Sequence, residues 1–219
     1  MRIMLIDPPG NNKGLNVGLG YLAAALKRES HDVRVLDLNN RQAGRCGDPN
    51  PLLPEGKVRQ HLRNVLDSYE PDIVGLSVKT FTSIISGQIA SMVKEMRPRV
   101  KVVAGGVHIT LDGVRYLTEH KTIDAGFVGE AEVSFYEALK SWPDPSSSGL
   151  PGIILRRGDQ VIAPAGQRPY IQDLDTLPFP DYTSFSSVQS WGMHVEEYPL
   201  LSSRGCPFHC SFCSMHNIM

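Results

Sequence analysis

Five times within residues 2–142, a short apolar run gives way to a longer segment with apolar residues at helical spacing. The runs are RIMLID (2–7), DVRVLDL (32–38), DIVGLSV (72–78), VKVVAGG (100–106) and DAGFVG (124–129). The segments that follow them are LGYLAAALKRES (19–30), KVRQHLRNVLDSYE (57–70), SIISGQIASMVKEMR (83–97), LDGVRYLTEH (111–120) and EAEVSFYEALKSW (130–142). In 57–70 the apolar positions are Val58, Leu62, Val65, Leu66 and Tyr69, which fall on one face of a helix. The runs themselves are near-continuous, which marks strands buried on both faces, as in a parallel sheet covered by helices. The expected fold is α/β: a Rossmann-like, flavodoxin-like five-stranded parallel sheet with right-handed crossovers and strand order 2-1-3-4-5.

After residue 150 the pattern changes. GIILRRGDQVIAP (152–164) reads as a hairpin around Gly158-Asp159. Residues 165–185 carry few helix or strand signals and read as a linker laid over a surface. YPLLSS (198–203) reads as a strand that delivers the chain into a cysteine loop. The expected organisation is therefore a domain over 1–145, a hairpin and linker over 146–195, and the start of a second domain over 196–219.

Composition narrows the functional classes. The formal net charge is −1, which implies no broad attraction to nucleic acid or an anionic membrane surface. No run approaches the roughly 18–20 apolar residues of a membrane span, and the N-terminal apolar run is too short for a signal-peptide core. A cytoplasmic protein with small-molecule partners is expected. Three of the four cysteines are clustered, which suits a metal or redox site in a reducing compartment better than a disulfide framework. Cys46 stands apart in a polar loop.

In an open parallel sheet, ligands bind beyond the carboxyl ends of the strands. The first run here ends in Asp7-Pro8-Pro9-Gly10 and the third in Ser77-Val78-Lys79-Thr80. The fourth ends in Gly105-Gly106-Val107-His108, and the fifth in Gly129-Glu130-Ala131-Glu132. Glycines let a ligand approach the backbone, and serine, threonine and backbone N–H groups hold polar groups or phosphate. The candidate cofactor residues are Pro8, Pro9, Gly10, Ser77, Lys79, Thr80, Gly105, Gly106, His108, Gly129 and Glu130. The same glycines also serve as ordinary turn residues, and His108 as an ordinary loop residue. Glu132 reads best as a first-turn acid favoured by the helix dipole.

Gly18-Leu19-Gly20-Tyr21-Leu22-Ala23, with Asp37 at the end of the second run, matches a dinucleotide fingerprint. Its register is wrong, because the glycines of that fingerprint follow the first strand at once. Here they fall at the helix start, where they permit close helix–sheet packing. Nicotinamide binding stays a minor alternative.

The last feature is Cys206-x-x-x-Cys210-x-x-Cys213. Thiolates at this spacing suit a soft metal or a cluster. Three sulfurs around a 4Fe–4S cubane leave one iron open to a small molecule. Zinc, completed by His209 or His216, is the alternative, but structural zinc sites usually pair C-x-x-C elements and only one is present.

The cysteine spacing after a strand, with Phe212 before the last cysteine, resembles the signature of radical S-adenosylmethionine (SAM) enzymes. GLGYLAAALK, PDIVGLSVKT, VVAGGVHIT, FVGEAE and LDTLPFPDY resemble, in order, the cobalamin-binding radical SAM family. The resemblance implies a cobalamin domain whose strand-end loops hold the corrin ring and nucleotide tail. No Asp-x-His-x-x-Gly is present, so no histidine from that motif reaches cobalt. It implies a cluster on Cys206, Cys210 and Cys213, with SAM on the open iron and reductive cleavage to a 5′-deoxyadenosyl radical. Methyl transfer, ring formation and other rearrangements all fit that family. A full barrel of the kind expected after the cysteines takes roughly 200 further residues by analogy with other barrels. The expectation is thus the N-terminal portion of a cobalamin-dependent radical SAM enzyme, not competent alone. A stand-alone cobalamin-binding or carrier module with a vestigial cysteine loop is the alternative.

Overall fold

The computed structural model describes residues 1–10, 14–40, 55–141, 151–166, 168–189, 198–215 and 218. Cys46 and His216 lie outside them. The five expected parallel strands are present: β1 (Arg2–Asp7), β2 (Asp32–Asp37), β3 (Ile73–Ser77), β4 (Lys101–Gly105) and β5 (Ala125–Phe127). The helices that follow are α1 (Val17–Arg28), α2 (Glu55–Tyr69), α3 (Ser83–Met96), α4 (Val107–Glu119) and α5 (Ala131–Lys140). The order is β2-β1-β3-β4-β5, as expected, and the sheet then continues through β6 (Ile153–Arg157) and β7 (Gln160–Ile162). The hairpin therefore belongs to the sheet rather than to a linker. β6 runs antiparallel along β5, Ala125 opposite Leu155 and Phe127 opposite Ile153. The physical reason is at the edge: β5 is three buried residues long, and an uncovered edge would leave its backbone groups unpaired.

Strand alternation divides the core in two. Met4 and Ile6 of β1 face α2, α3 and α4, packing with Leu62, Leu66, Ile89 and Leu117. Ile3 and Leu5 face the other way, with Leu19, Leu26, Phe135 and Leu139 of α1 and α5. All four β1 side chains are at most 1% exposed. Burying each such side chain stabilises the fold by roughly 1.5–3 kcal/mol. The apolar stripe of α2 is as read from the sequence, with Val58, Leu62, Leu66 and Tyr69 buried.

Residues 168–189 form a strap over α1, α5 and β2. The Arg168 guanidinium meets Glu137 of α5 at 2.6 Å, and Arg28 of α1 donates to the Thr176 carbonyl at 2.6 Å. Lys27 meets Asp181 at 2.6 Å. Burial works against the Asp181 charge, but Lys27 and the hydroxyls of Thr183 and Ser184 outweigh it and hold the carboxyl at about 2. The strap ends in a short helix, α6 (Ser186–Gln189), whose Ser186 hydroxyl accepts from the Asp37 N–H at 3.0 Å.

Residues 198–203 are not a strand, against expectation. Their backbone groups are taken by tyrosines instead of by a neighbouring strand. Tyr21 Oη donates to the Leu201 carbonyl at 3.1 Å and accepts from the Leu201 N–H at 3.2 Å. Tyr182 Oη donates to the Pro199 carbonyl at 2.6 Å, and Tyr198 Oη donates to the Pro180 carbonyl. Among the described residues no helix is long and apolar enough to cross a membrane.

Candidate functional site

The carboxyl ends of β1, β3, β4 and β5 are tied to one another by side chains of the loops that leave them. Asn16 caps α1, accepting from the Leu19 N–H at 3.2 Å. Its amide donates to Asp7 Oδ1 at 2.9 Å and to Ser77 Oγ at 3.1 Å, joining α1 to the ends of β1 and β3. Lys79 meets Asp7 Oδ1 at 3.2 Å. Asp7 is fully buried, and its Oδ2 has no partner. Burial pushes the Asp7 carboxyl up from the usual aspartate range, against the pull of Lys79 and Asn16.

The ends of β3 and β4 are laced by the backbone: Val78 N–H donates to the Gly105 carbonyl at 2.8 Å, and His108 N–H to the Val78 carbonyl at 3.1 Å. Gly106 makes this possible. Its φ is +99°, and a Cβ there would lie 2.9 Å from the Val78 carbonyl oxygen. Thr110 Oγ1 accepts from the Gly129 N–H at 2.9 Å, linking α4 to the end of β5.

Between these ends and helices α1 and α5 lies a cavity of about 270 Å³. Leu5, Gly75, Val103, Ala104, Phe127 and Phe135 line its apolar interior. Gly75 keeps that interior open, since a Cβ would stand 2.9 Å from the Leu5 side chain. Ser77, Lys79, Gly105, Gly106, Gly129 and Glu130, all predicted from the sequence, line the cavity as well.

The other predicted cofactor residues lie beside the cavity rather than along it. Pro8 and Pro9 are buried, and Gly10 packs against Phe81 and Thr82. Thr80 is exposed at the start of a 3-10 turn. His108 lies edge-on to Tyr116, ring centroids 5.1 Å apart.

Sequence reading missed Asn16, Tyr21 and above all Arg204. Arg204 lines the cavity and meets Glu130 Oε1 and Glu132 Oε1, each at 2.7 Å. Glu132 is therefore the buried partner of an arginine, not only a first-turn acid. The one local signal was an arginine next to the cysteine loop. Its partners lie 74 and 72 residues away, beyond the reach of a local pattern.

The dinucleotide alternative fares differently. Asp37 is fully buried, and Asn40 and Ser187 donate to its carboxylate at 2.7 and 2.6 Å on Oδ2. That carboxylate is committed to holding the strap. Gly20 packs under the strap, where a Cβ would meet Tyr182 and Pro180 at 2.8 and 2.9 Å. The sequence reading had placed that close packing against the sheet.

Cys206 and Cys210 are exposed and Cys213 is half-buried, all as free thiols. The Cys213 N–H donates to the Cys210 carbonyl at 3.0 Å, so these two share one turn. Among the described residues no three His, Cys, Asp or Glu side chains are gathered as a metal site. His209 is exposed.

Residues 11–139, more than half of the chain, match the B12 binding domain family. The chain belongs to that family. It is 29% identical over 223 residues to an uncharacterized methyltransferase of Pyrococcus horikoshii, covering 98% of this chain and 45% of that protein. It is 32% identical over 153 residues to the cobalamin-dependent radical SAM methyltransferase TokK of Streptomyces tokunonensis, 66% of this chain and 22% of that one. Among solved structures, the cobalamin-dependent radical enzyme OxsB, with aqua-cobalamin and SAM bound, matches with a TM-score of 0.64. That match covers 82% of this chain and 24% of OxsB at 17% identity, which speaks to the fold alone. These relatives bear out the resemblance to the cobalamin-binding radical SAM family. The chain spans less than half the length of the curated relatives just named.

The cavity fits part of a cobalamin. Its volume, about 270 Å³, is just below the roughly 300–1,000 Å³ common for ligand pockets. That volume and its apolar lining would suit the flat base of the nucleotide tail rather than the whole cofactor. Ser77, Lys79 and Thr110, with the start of α4 at Gly106 and Val107, which has no side-chain cap, supply polar groups along its lining. Unsatisfied N–H groups at a helix start favour a phosphate.

Proposed function

We propose that this chain is the cobalamin-binding portion of a cobalamin-dependent radical SAM enzyme of the methyltransferase type. The nucleotide tail of the cofactor fills the strand-end cavity, with its base against Val103, Ala104, Phe127 and Phe135. Ser77, Lys79 and Thr110 meet its polar atoms, and the loops at 8–10, 80 and 108 border the corrin. Cys206, Cys210 and Cys213 supply thiolates to a 4Fe–4S cluster, and SAM is the small molecule that completes it. When bound, the cobalamin supplies a transferable methyl group.

What the chain's own residues contribute is binding and placement. Apolar walls exclude water from the base. The buried Asp7 carboxyl holds Asn16 and Lys79, both of which line the cavity. Gly106 and Gly129 keep the rim free of side chains.

One observation carries the reading. Leu201, Arg204 and Ile218, from either side of the cysteines, line the same cavity as Ser77, Gly105 and Gly129. The cysteine segment thus lies over the cavity assigned here to the cofactor.

The test is anaerobic reconstitution of the 219-residue chain with hydroxocobalamin, iron and sulfide, followed by gel filtration. Co-elution of a corrinoid spectrum and of iron–sulfur absorbance is expected. Elution of colourless protein would refute the reading.

A further inference from the structure

The cysteine segment is joined to the domain at a point chosen for strength. Arg204 is two residues before Cys206, and its guanidinium spans two carboxylates of one helix start. Nη1 meets Glu130 and Nη2 meets Glu132, both at 2.7 Å. The side chains of Arg204, Glu130 and Glu132 are only 12%, 11% and 7% exposed. A forked guanidinium holding two carboxylates out of water is a directional contact, unlike a surface pair. The Arg204 guanidinium also lies 5.2 Å from the centre of the Tyr21 ring. The Tyr21 hydroxyl grips both backbone groups of Leu201, three residues earlier. Glu130 serves twice: its second oxygen accepts from the Ile171 N–H of the strap at 2.5 Å.

By contrast, beyond Arg204 the described residues 205–212 are exposed. The upstream anchor of the cysteine loop is therefore Arg204, while Ile218 meets the cavity downstream. Two carboxylates face one guanidinium, so the cluster of charges keeps a net negative charge. It is unsuited to hold a phosphate and suited to hold the arginine.

We propose that Arg204, Glu130, Glu132 and Tyr21 form a latch that seats the cysteine loop over the cofactor mouth. Arg204 is a positioning residue in this arrangement. The cobalamin domain, through the first turn of α5, fixes where the cysteines stand. The proposal deepens the functional reading above and rests on it for the identity of what the loop covers, but the latch itself is a property of the chain.

Amide hydrogen exchange on the full chain tests it without cofactor or cluster. Its outcome is thus separable from that of cobalamin binding. In R204A, the hydrogen-bonded amides of this segment, Leu201 and Cys213, should exchange about tenfold faster or more, the loss expected for a charged hydrogen bond. Strands β1–β5 should keep their protection. E132Q, the milder change, should accelerate the same residues to a smaller degree. R204A combined with E132Q should be no faster than R204A alone, because both break one contact. R204K should restore protection only in part, since one ammonium cannot span two carboxylates in a fork. Unchanged exchange of these two amides in both R204A and E132Q would overturn the proposal. So would acceleration spread evenly through the sheet, which would mark a general loss of stability.

Discussion

The cavity walls are strand ends whose neighbours are core residues, whereas the cysteine segment reaches the same place on side-chain hydrogen bonds and one ion-pair fork. Val103, Phe127 and Phe135 are at most 2% exposed, and their positions are fixed by the sheet. Phe208 and Phe212, flanking the cysteines, are 69% and 92% exposed. The first region is preformed and should bind with little rearrangement. The second has a fixed root at Arg204 and an open tip. On the proposed reading, the difference predicts that cobalamin binding and cluster assembly can be separated.

The sharpest way to break that separation is at the thiolates. Replacing Cys206, Cys210 and Cys213 together by alanine should abolish iron–sulfur absorbance after reconstitution and leave the fold intact by circular dichroism. Retention of the full absorbance would remove the cysteines from the cluster assignment.

A change of the opposite kind is Gly105→Leu. A Cβ at Gly105 meets only ordinary contacts, 3.9 Å from Phe127, so the backbone should hold while the longer side chain occupies the cavity. Cobalamin affinity should fall by about 100-fold or more, in line with loss of about 2.7 kcal/mol of packing. Cluster absorbance should persist. Unchanged cobalamin affinity in equilibrium titration would place the cofactor elsewhere.

Asp7→Asn probes the buried carboxyl that holds Asn16 and Lys79. The raised Asp7 pKa means that its contribution is present below the ordinary carboxylate range and lost as pH rises through the folded value. An asparagine has no charge to desolvate, and its side-chain oxygen can still accept from the Asn16 amide. Denaturant unfolding of the cofactor-free chain at pH 8 should show a gain of about 1 kcal/mol, with a flatter pH dependence. A loss of stability at pH 8 would contradict this.

The smallest effect is expected at the strap. The Asp181 carboxyl, at about 2, contributes stability above the ordinary unfolded value and loses it as pH falls toward 2. Lys27 is 37% exposed, so solvent screens the pair. Lys27→Met should cost under about 1 kcal/mol. It should also move the carboxyl titration of Asp181, followed by NMR, upward. No upward movement would mean that the hydroxyls of Thr183 and Ser184 hold the carboxylate without Lys27.

Much of the cavity was legible in the sequence because strand ends announce themselves. Ser77, Gly105, Gly106 and Gly129 each close an apolar run, and a parallel sheet brings all such ends to one side. Strand order was legible for the same reason. The antiparallel extension was only half legible: GIILRRGDQVIAP shows a hairpin, but not which edge it covers. That depended on the pairing of β6 along β5, which links residues far from the hairpin. YPLLSS looked like a strand by composition, yet its backbone bonds go to Tyr21 and Tyr182, which no local pattern reveals. Arg204 with Glu132 was illegible because the pairing spans 72 residues and depends on where the strap leaves the chain.

The central claim is that the strand-end cavity holds cobalamin whether or not the cysteine loop holds a cluster. Equilibrium titration of hydroxocobalamin into the triple cysteine-to-alanine chain, beside the unaltered chain, tests it most directly. Equal affinity, read from the corrinoid spectrum, is the predicted result. Loss of binding in the triple variant, or no binding in either chain, would contradict it.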